Sequence, residues 1–239
     1  MRPPYSEYAA PPIYVYPEPP RRGVQFSRTE LIQLGVAILG LSAAFTVVLV
    51  NPLLGGGLDL FPGNFAANLG FGFVAALVSV GSGVGLHEIM HKIVAERYGH
   101  WAEFRYSLQG LAMAFVFAFL GFIFGAPGAT YISGAVTPQQ NSRISAAGPV
   151  TNIGLGIVFF AALVAIVPMA YPGSLAFLLA YLFQIVASVN LILAAFNMIP
   201  LMPLDGAKVW HWNKLTWLAI LAVALGILGF GASQQYLFL

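Results

Sequence analysis

Residues 65–91 read FAANLGFGFVAALVSVGSGVGLHEIMH, a run of 22 residues without a charge that leads directly into His87-Glu88-Ile89-Met90-His91. At 1.5 Å of rise per residue, such a run is long enough to cross a hydrocarbon core about 30 Å thick. Ionisable side chains at membrane depth are costly to hold without a partner, so the three at its end mark a functional site.

Further apolar runs of spanning length lie at Leu31–Val50, Val150–Ala170, Ser174–Ile199 and Leu215–Gly231. A shorter one, Leu111–Phe124, stops at Gly125-Ala126-Pro127-Gly128, which suits a re-entrant or interfacial segment better than a span. Five crossings put Arg2, Arg21, Arg22, Arg28, Lys92, Arg97, Arg105, Arg143, Lys208 and Lys214 on one side, and the opposite loops 51–64 and 171–173 carry no Lys or Arg. The positive-inside rule makes that side, with the N-terminus, cytoplasmic, and the protein multi-pass in the cell membrane. By the charges that follow it, Lys92 and Arg97, the His87 region lies roughly 7 to 15 Å below the cytoplasmic surface.

Composition agrees. Of 239 residues, 59% are hydrophobic and 8% charged, against about 25% charged in soluble domains, too few to clothe a water-soluble globule. A net charge of +2 excludes a nucleic-acid partner, which would require clustered positive charge. The absence of cysteine excludes disulfides, thiolate ligands and cysteine nucleophiles. Residues 1–26 hold seven of the sixteen prolines and four of the ten tyrosines and read as a disordered cytoplasmic tail, preceding a membrane-embedded domain over 27–239. Trp101, Trp210, Trp212 and Trp217 fall near run ends, where interfacial anchoring accounts for them.

H-E-x-x-H on a helix sets two imidazoles one turn apart on one face, able to converge on a single Zn²⁺. Glu88 projects about 100° around the helix from His87, close enough to take a proton from water without ligating the metal. Roughly 0.002 chance matches to the pattern are expected in this composition. Catalytic zinc takes a third protein ligand, and here it must be a carboxylate or a histidine: Asp59, Glu96, His100, Glu103, Asp205 or His211. Asp205 stands apart. It ends Asn197-Met198-Ile199-Pro200-Leu201-Met202-Pro203-Leu204-Asp205-Gly206, where two prolines and a glycine break a long apolar helix and can turn a carboxylate into the interior. The competing role is an N-cap of the next helix.

Across residues 65–215 the chain resembles the site-2 protease family of intramembrane zinc metalloproteases, on three motifs in order. His87 to His91 matches the zinc-binding helix, Gly148-Pro149-Val150-Thr151-Asn152 the G-P-x-x-N element, and Asn197 to Gly206 the N-x-x-P-x-x-x-L-D-G element. The resemblance implies His87, His91 and Asp205 as zinc ligands and Glu88 as general base. It also implies that Asn197, and less directly Asn152, bind the substrate backbone or the oxyanion. The chain departs from the pattern at Ala207, where a second glycine is usual, and at the apolar run 111–124, which lengthens the strand-forming region between the first two motifs.

The expected architecture is an all-α polytopic membrane protein of about five transmembrane helices, with the re-entrant or interfacial segment and a small β element between the first two motifs. Ala129–Val136, after the Pro127-Gly128 turn signal, is the β-prone stretch and a candidate edge for holding an extended substrate. The activity implied is zinc-dependent hydrolysis of peptide bonds within transmembrane segments of single-span membrane proteins in the lipid bilayer. The alternative is a zinc transporter or other non-enzymatic metal-binding membrane protein. Transporters usually show repeated halves, and no repeat is apparent here.

Overall fold

The computed structural model describes residues 23–51 and 57–237, so all but the last four residues of the segment 1–26 lie outside the described residues. The elements run α1 (Arg28–Val50), α2 (Phe65–Val80), a π-helical turn (Gly81–Leu86), α3 (His87–Arg97), β1 (Trp101–Tyr106), α4 (Leu108–Ala118), β2 (Gly128–Ser133), α5 (Pro138–Ile166), α6 (Leu175–Asn197), α7 (Asp205–Trp212) and α8 (Lys214–Ser233). Among the described residues, five helical stretches are long and apolar enough to cross a membrane: 28–50, 65–97, 138–169, 175–197 and 214–233.

Each coincides with an apolar run read from the sequence, and the largest difference is at α5, which starts twelve residues before Val150. Its first turns are polar, so hydropathy misses them. Thr137 starts the helix as a capping box: its hydroxyl accepts from Gln140 N, the Gln140 side chain accepts from Thr137 N, and Pro138 fits the first turn. The bundle is packed on small residues. Ala37, Ala44, Ala75, Ala114, Ala118, Ala187, Ala194 and Ala224 are buried, while Val74, Val158, Leu225 and Phe230 face outward. In hydrocarbon nothing is gained by hiding large apolar side chains, and small ones let helices approach closely.

The short apolar run forms α4, about 16 Å long and too short to cross. Leu111, Ala114 and Ala118 pack it against Leu41 and Ala44 of α1, and it ends before Gly121 and Gly125, both at positive φ. It forms the connection between two antiparallel strands paired from Trp101↔Ser133 to Tyr106↔Gly128. The β-prone stretch is therefore β2, ended at Gly134, whose φ is +123°. Its partner β1 lies in a charged stretch that carries Glu103 and Arg105.

Those charges have partners inside the protein. Residues 102, 104 and 106 of β1 turn away from β2 and are met by side chains of α1 and α3. Lys92 Nζ donates to Ala102 O at 2.5 Å, Glu30 Oε1 accepts from Phe104 N at 3.0 Å, and Gln33 Oε1 accepts from Tyr106 N at 3.1 Å. Lys92 is buried and paired with Glu30 Oε2 and Glu96 Oε1, both at 3.0 Å. This corrects the reading of Lys92 as a marker of the aqueous surface: it is a staple between α1, α3 and the sheet, and only the exposed Arg97 serves as such a marker.

Three other cations lie at the same end of the bundle. Arg143 donates to Tyr98 Oη and lies 6.0 Å from the Trp212 ring, Lys214 lies 5.1 Å from the Trp210 ring, and Lys208 approaches Asp205.

Candidate metal centre

α3 continues the α2 span, and the motif in it lies inside the bundle beside α5 and the start of α7. The His87 and His91 rings stand edge to face, 4.6 Å apart at 87°. One oxygen, Asp205 Oδ2, lies 3.2 Å from His87 Nε2 and 3.1 Å from His91 Nε2. All three residues are buried. Three ligands held tetrahedrally at about 2.0–2.1 Å from zinc would have donor atoms about 3.3 Å apart. The two observed separations match, and two imidazoles with one carboxylate are a donor set zinc takes in catalytic sites. The Glu88 carboxylate is close by, with an oxygen within 4.8 Å of ligand atoms of both histidines.

Asp205 reaches this position because the chain breaks after α6. The segment 198–204 contains Pro200 and Pro203, the latter after a cis peptide bond, and α7 begins at Asp205 with Leu204 in the cap position. The Asp205 carboxylate makes no cap hydrogen bond, so the competing N-cap role is not the one it fills. Gly206 is required by the approach of α7 to α6: a Cβ there would stand 2.3 Å from the backbone carbonyl of Met198. Ala207, the departure from the family pattern, is partly exposed and free of that constraint.

Each imidazole is oriented by its second nitrogen. His91 Nδ1 lies 2.7 Å from Ile144 O, just ahead of the helix opening at Pro149, which cannot donate to Ser145 O. His87 Nδ1 lies 2.5 Å from Asn152 Oδ1, while Asn152 Nδ2 donates to Gly83 O at 2.8 Å and to Asn190 Oδ1 at 2.9 Å. A carbonyl oxygen only accepts, so Nδ1 of each ring is the donor in these contacts, and Nε2 is the nitrogen left to a metal, as metal-ligating histidines require.

Two local distortions support this. Where the π-helical turn 81–86 gives way to α3, His87 N bonds to Val84 O, three residues back, and Gly83 O accepts from Asn152 Nδ2. Irregular turns of this kind are frequent at functional sites. At Gly148 the α5 backbone lies flat against the His87 ring, and a Cβ there would be 2.5 Å from Nε2.

Glu88 is held from the sheet: Thr130 Oγ1 of β2 donates to Glu88 Oε2 at 2.8 Å and lies 3.2 Å from Glu88 O.

Asn152 is fully buried with both amide atoms bonded inside the protein, so in this arrangement it faces His87 rather than a substrate. Asn197 is partly exposed at the end of α6. Its Nδ2 donates to Leu193 O at 3.0 Å, and among the described residues it makes no hydrogen bond to the His87–His91–Asp205 group.

The other candidates for third ligand lie elsewhere. Asp59 accepts from Asn68 Nδ2, and Asn68 is nineteen residues before His87, about 28 Å along a helix. Glu96 pairs with Lys92, His100 Nε2 faces Gln140 Oε1 at 3.2 Å, and His211 is exposed. Glu103 accepts from Ser27 Oγ and Arg105, which hold its carboxyl below the usual carboxylate range.

Residues that sequence reasoning missed are Asn190, Ser82, Thr130 and Lys208. Asn190, an amide in the middle of an apolar run, is a signal readable in the sequence. Thr130 has no signal without the sheet.

No protein-family model matches the chain, and no solved structure matches it. Over 196 residues, 81% of this chain and 89% of the relative, it is 38% identical to "Putative zinc metalloprotease MJ0611" of Methanocaldococcus jannaschii. Over 132 residues, 54% of this chain, it is 32% identical to "Putative zinc metalloprotease Rip3" of Mycobacterium tuberculosis, of which it covers 28%. Likeness at that level over nearly the whole of one relative, on a bundle that brings two histidines and an aspartate to one point, places the chain in the site-2 protease family of zinc metalloproteases.

Proposed function

We propose that this protein is an intramembrane zinc metalloendopeptidase that hydrolyses peptide bonds within transmembrane segments of single-span membrane proteins. The observation that carries the proposal is the convergence of Asp205 Oδ2 on both imidazole Nε2 atoms at 3.1 and 3.2 Å. His87, His91 and Asp205 would hold zinc, which when bound polarises the scissile carbonyl and makes water acidic enough to be deprotonated near neutral pH. Glu88 takes the proton from the attacking water and passes it to the leaving amine nitrogen. Thr130 keeps one Glu88 oxygen hydrogen-bonded and leaves the other to work. The Asn197 carbonyl oxygen, at the end of α6, accepts from a substrate N–H.

A transmembrane helix has its carbonyls already bonded and must be drawn out before it can be cut. β1 turns its outer edge to Glu30, Gln33 and Lys92, so β2 presents the open edge of the sheet. No backbone partner meets the peptide groups of Thr130 or Ile132 on that outer edge among the described residues. A substrate added there as a third strand would run past the residue that holds Glu88. The cation-rich end of the bundle, with the N-terminus, faces the cytoplasm.

The test compares purified wild type with Glu88→Gln on a model transmembrane substrate, with zinc measured in both. Glu88→Gln should retain zinc and lose cleavage. Cleavage near the wild-type rate would remove Glu88 from the mechanism, and wild type without zinc would remove the metal site.

A further inference from the structure

Four polar side chains in the apolar interior form one chain ending on His87. Asn190 lies in the middle of α6 and Asn152 in α5, and both are fully buried. Asn190 Nδ2 donates to Val186 O at 2.9 Å and to Ser82 Oγ at 3.1 Å, which points Asn190 Oδ1 at Asn152. Asn152 Nδ2 donates to that oxygen and to Gly83 O, and Asn152 Oδ1 is thereby turned to His87 Nδ1. Two of these groups, Ser82 and Gly83, belong to the π-helical turn that runs into the motif.

We infer that Asn190 is a positioning residue of the metal centre, which acts through Asn152 to fix the tautomer and the rotation of His87. The inference rests on His87 being a zinc ligand, as proposed above.

The physical reason is the two-fold ambiguity of an amide. Rotated by 180°, Asn152 would present its NH₂ to His87 Nδ1, and donor would face donor unless the ring proton moved to Nε2. That tautomer has no lone pair at Nε2 and cannot bind zinc there. The rotated amide would also set Asn152 Oδ1 against Asn190 Oδ1 and Gly83 O, two contacts between acceptors at the present 2.9 and 2.8 Å. Asn190 supplies half of that discrimination, and its own orientation is held by Val186 and Ser82. Helix α6 thus reaches the zinc site from a residue that touches no ligand. Metal affinity and ring orientation commonly depend on partners of this kind by 10- to 100-fold.

Asn190→Leu keeps the number and branching of the side-chain heavy atoms and removes the relay, and Asn190→Ser is a smaller side chain whose hydroxyl is too short to meet Asn152. Both should fold to the wild-type elution profile and circular dichroism and bind zinc about tenfold or more weakly in chelator competition. In the zinc-loaded protein, the downfield imidazole N–H resonance of His87, hydrogen-bonded in wild type, should broaden or vanish. Asn152→Asp presents an acceptor oxygen to His87 in either rotation. In that background Asn190→Leu also removes a contact between two acceptors and should not weaken zinc binding further, which a general loosening of the bundle would not reproduce. Wild-type zinc binding together with unchanged affinity and N–H resonance in both Asn190 variants would overturn the relay alone. A tenfold loss that persists in the Asn152→Asp background would overturn its route through Asn152. Wild type that takes up no zinc would overturn the proposed metal site, and the relay with it.

Discussion

Gly148→Ala adds one methyl group to the face of α5 that His87 lies against. The added carbon would sit 2.5 Å from His87 Nε2 and 2.6 Å from both ring carbons beside it. Comfortable separations are about 3.5–4.0 Å, so the overlap is roughly 1 Å. The helix has little room to retreat, because Gly148 and Pro149 are both buried. The imidazole must move instead. A 1 Å displacement would take Nε2 from 3.2 Å to about 4 Å from Asp205 Oδ2, where metal–ligand distances tolerate only about ±0.2 Å. The overpacking itself costs about 1–3 kcal/mol, so the bundle should still assemble. We expect zinc affinity to fall about 100-fold, at the upper end of what disturbing the groups that support a ligand costs, and cleavage to fall with it. Gly154→Ala, six residues along α5, meets open space and serves as the control. The assay is zinc content after dialysis against graded chelator, with circular dichroism on the same samples. A Gly148→Ala protein that holds zinc within threefold of wild type would refute the claim that the glycine is there to admit the ring.

Asp205→Ala, His87→Ala and His91→Ala should each lose cleavage and fail to retain zinc through dialysis; if Asp205→Ala retains it like wild type, the third ligand lies elsewhere. Glu30→Ala leaves Lys92 buried with one carboxylate fewer and strips the bond to Phe104 N, and breaking a buried pair should destabilise the protein by about 3–5 kcal/mol. Thermal melting in detergent reads this, and an unchanged melting temperature would show that Glu96 alone satisfies the lysine. Single cysteines at Gln139 and Ser174 of this cysteine-free chain should react with an impermeant thiol reagent from the cytoplasmic and external sides respectively. Labelling of Gln139 from outside would overturn the orientation.

Spans, the H-E-x-x-H helix and the helix break before Asp205 were all legible in the sequence, because each is a local property. Apolar length measures a span against a fixed bilayer thickness, a four-residue spacing sets two rings on one face, and proline ends a helix wherever it falls. The strand 128–133 was legible from composition and turn chemistry in the same way. Its partner was not. WAEFRY carries Glu103 and Arg105, and such charges read as solvated until Ser27, Glu30 and Lys92, up to 76 residues away in sequence, are brought against the strand. Lys92 misled for the same reason, since whether a charge is at the surface or in a buried pair depends on who meets it. The role of Asn152 follows the same logic. Its motif placed it near the site, but only the packing of α5 against the π-helical turn and α6 shows its amide facing His87. What is periodic or local along the chain can be read before folding, whereas the partner of a buried polar group is fixed by contacts between helices far apart in sequence, and only the tertiary structure decides it.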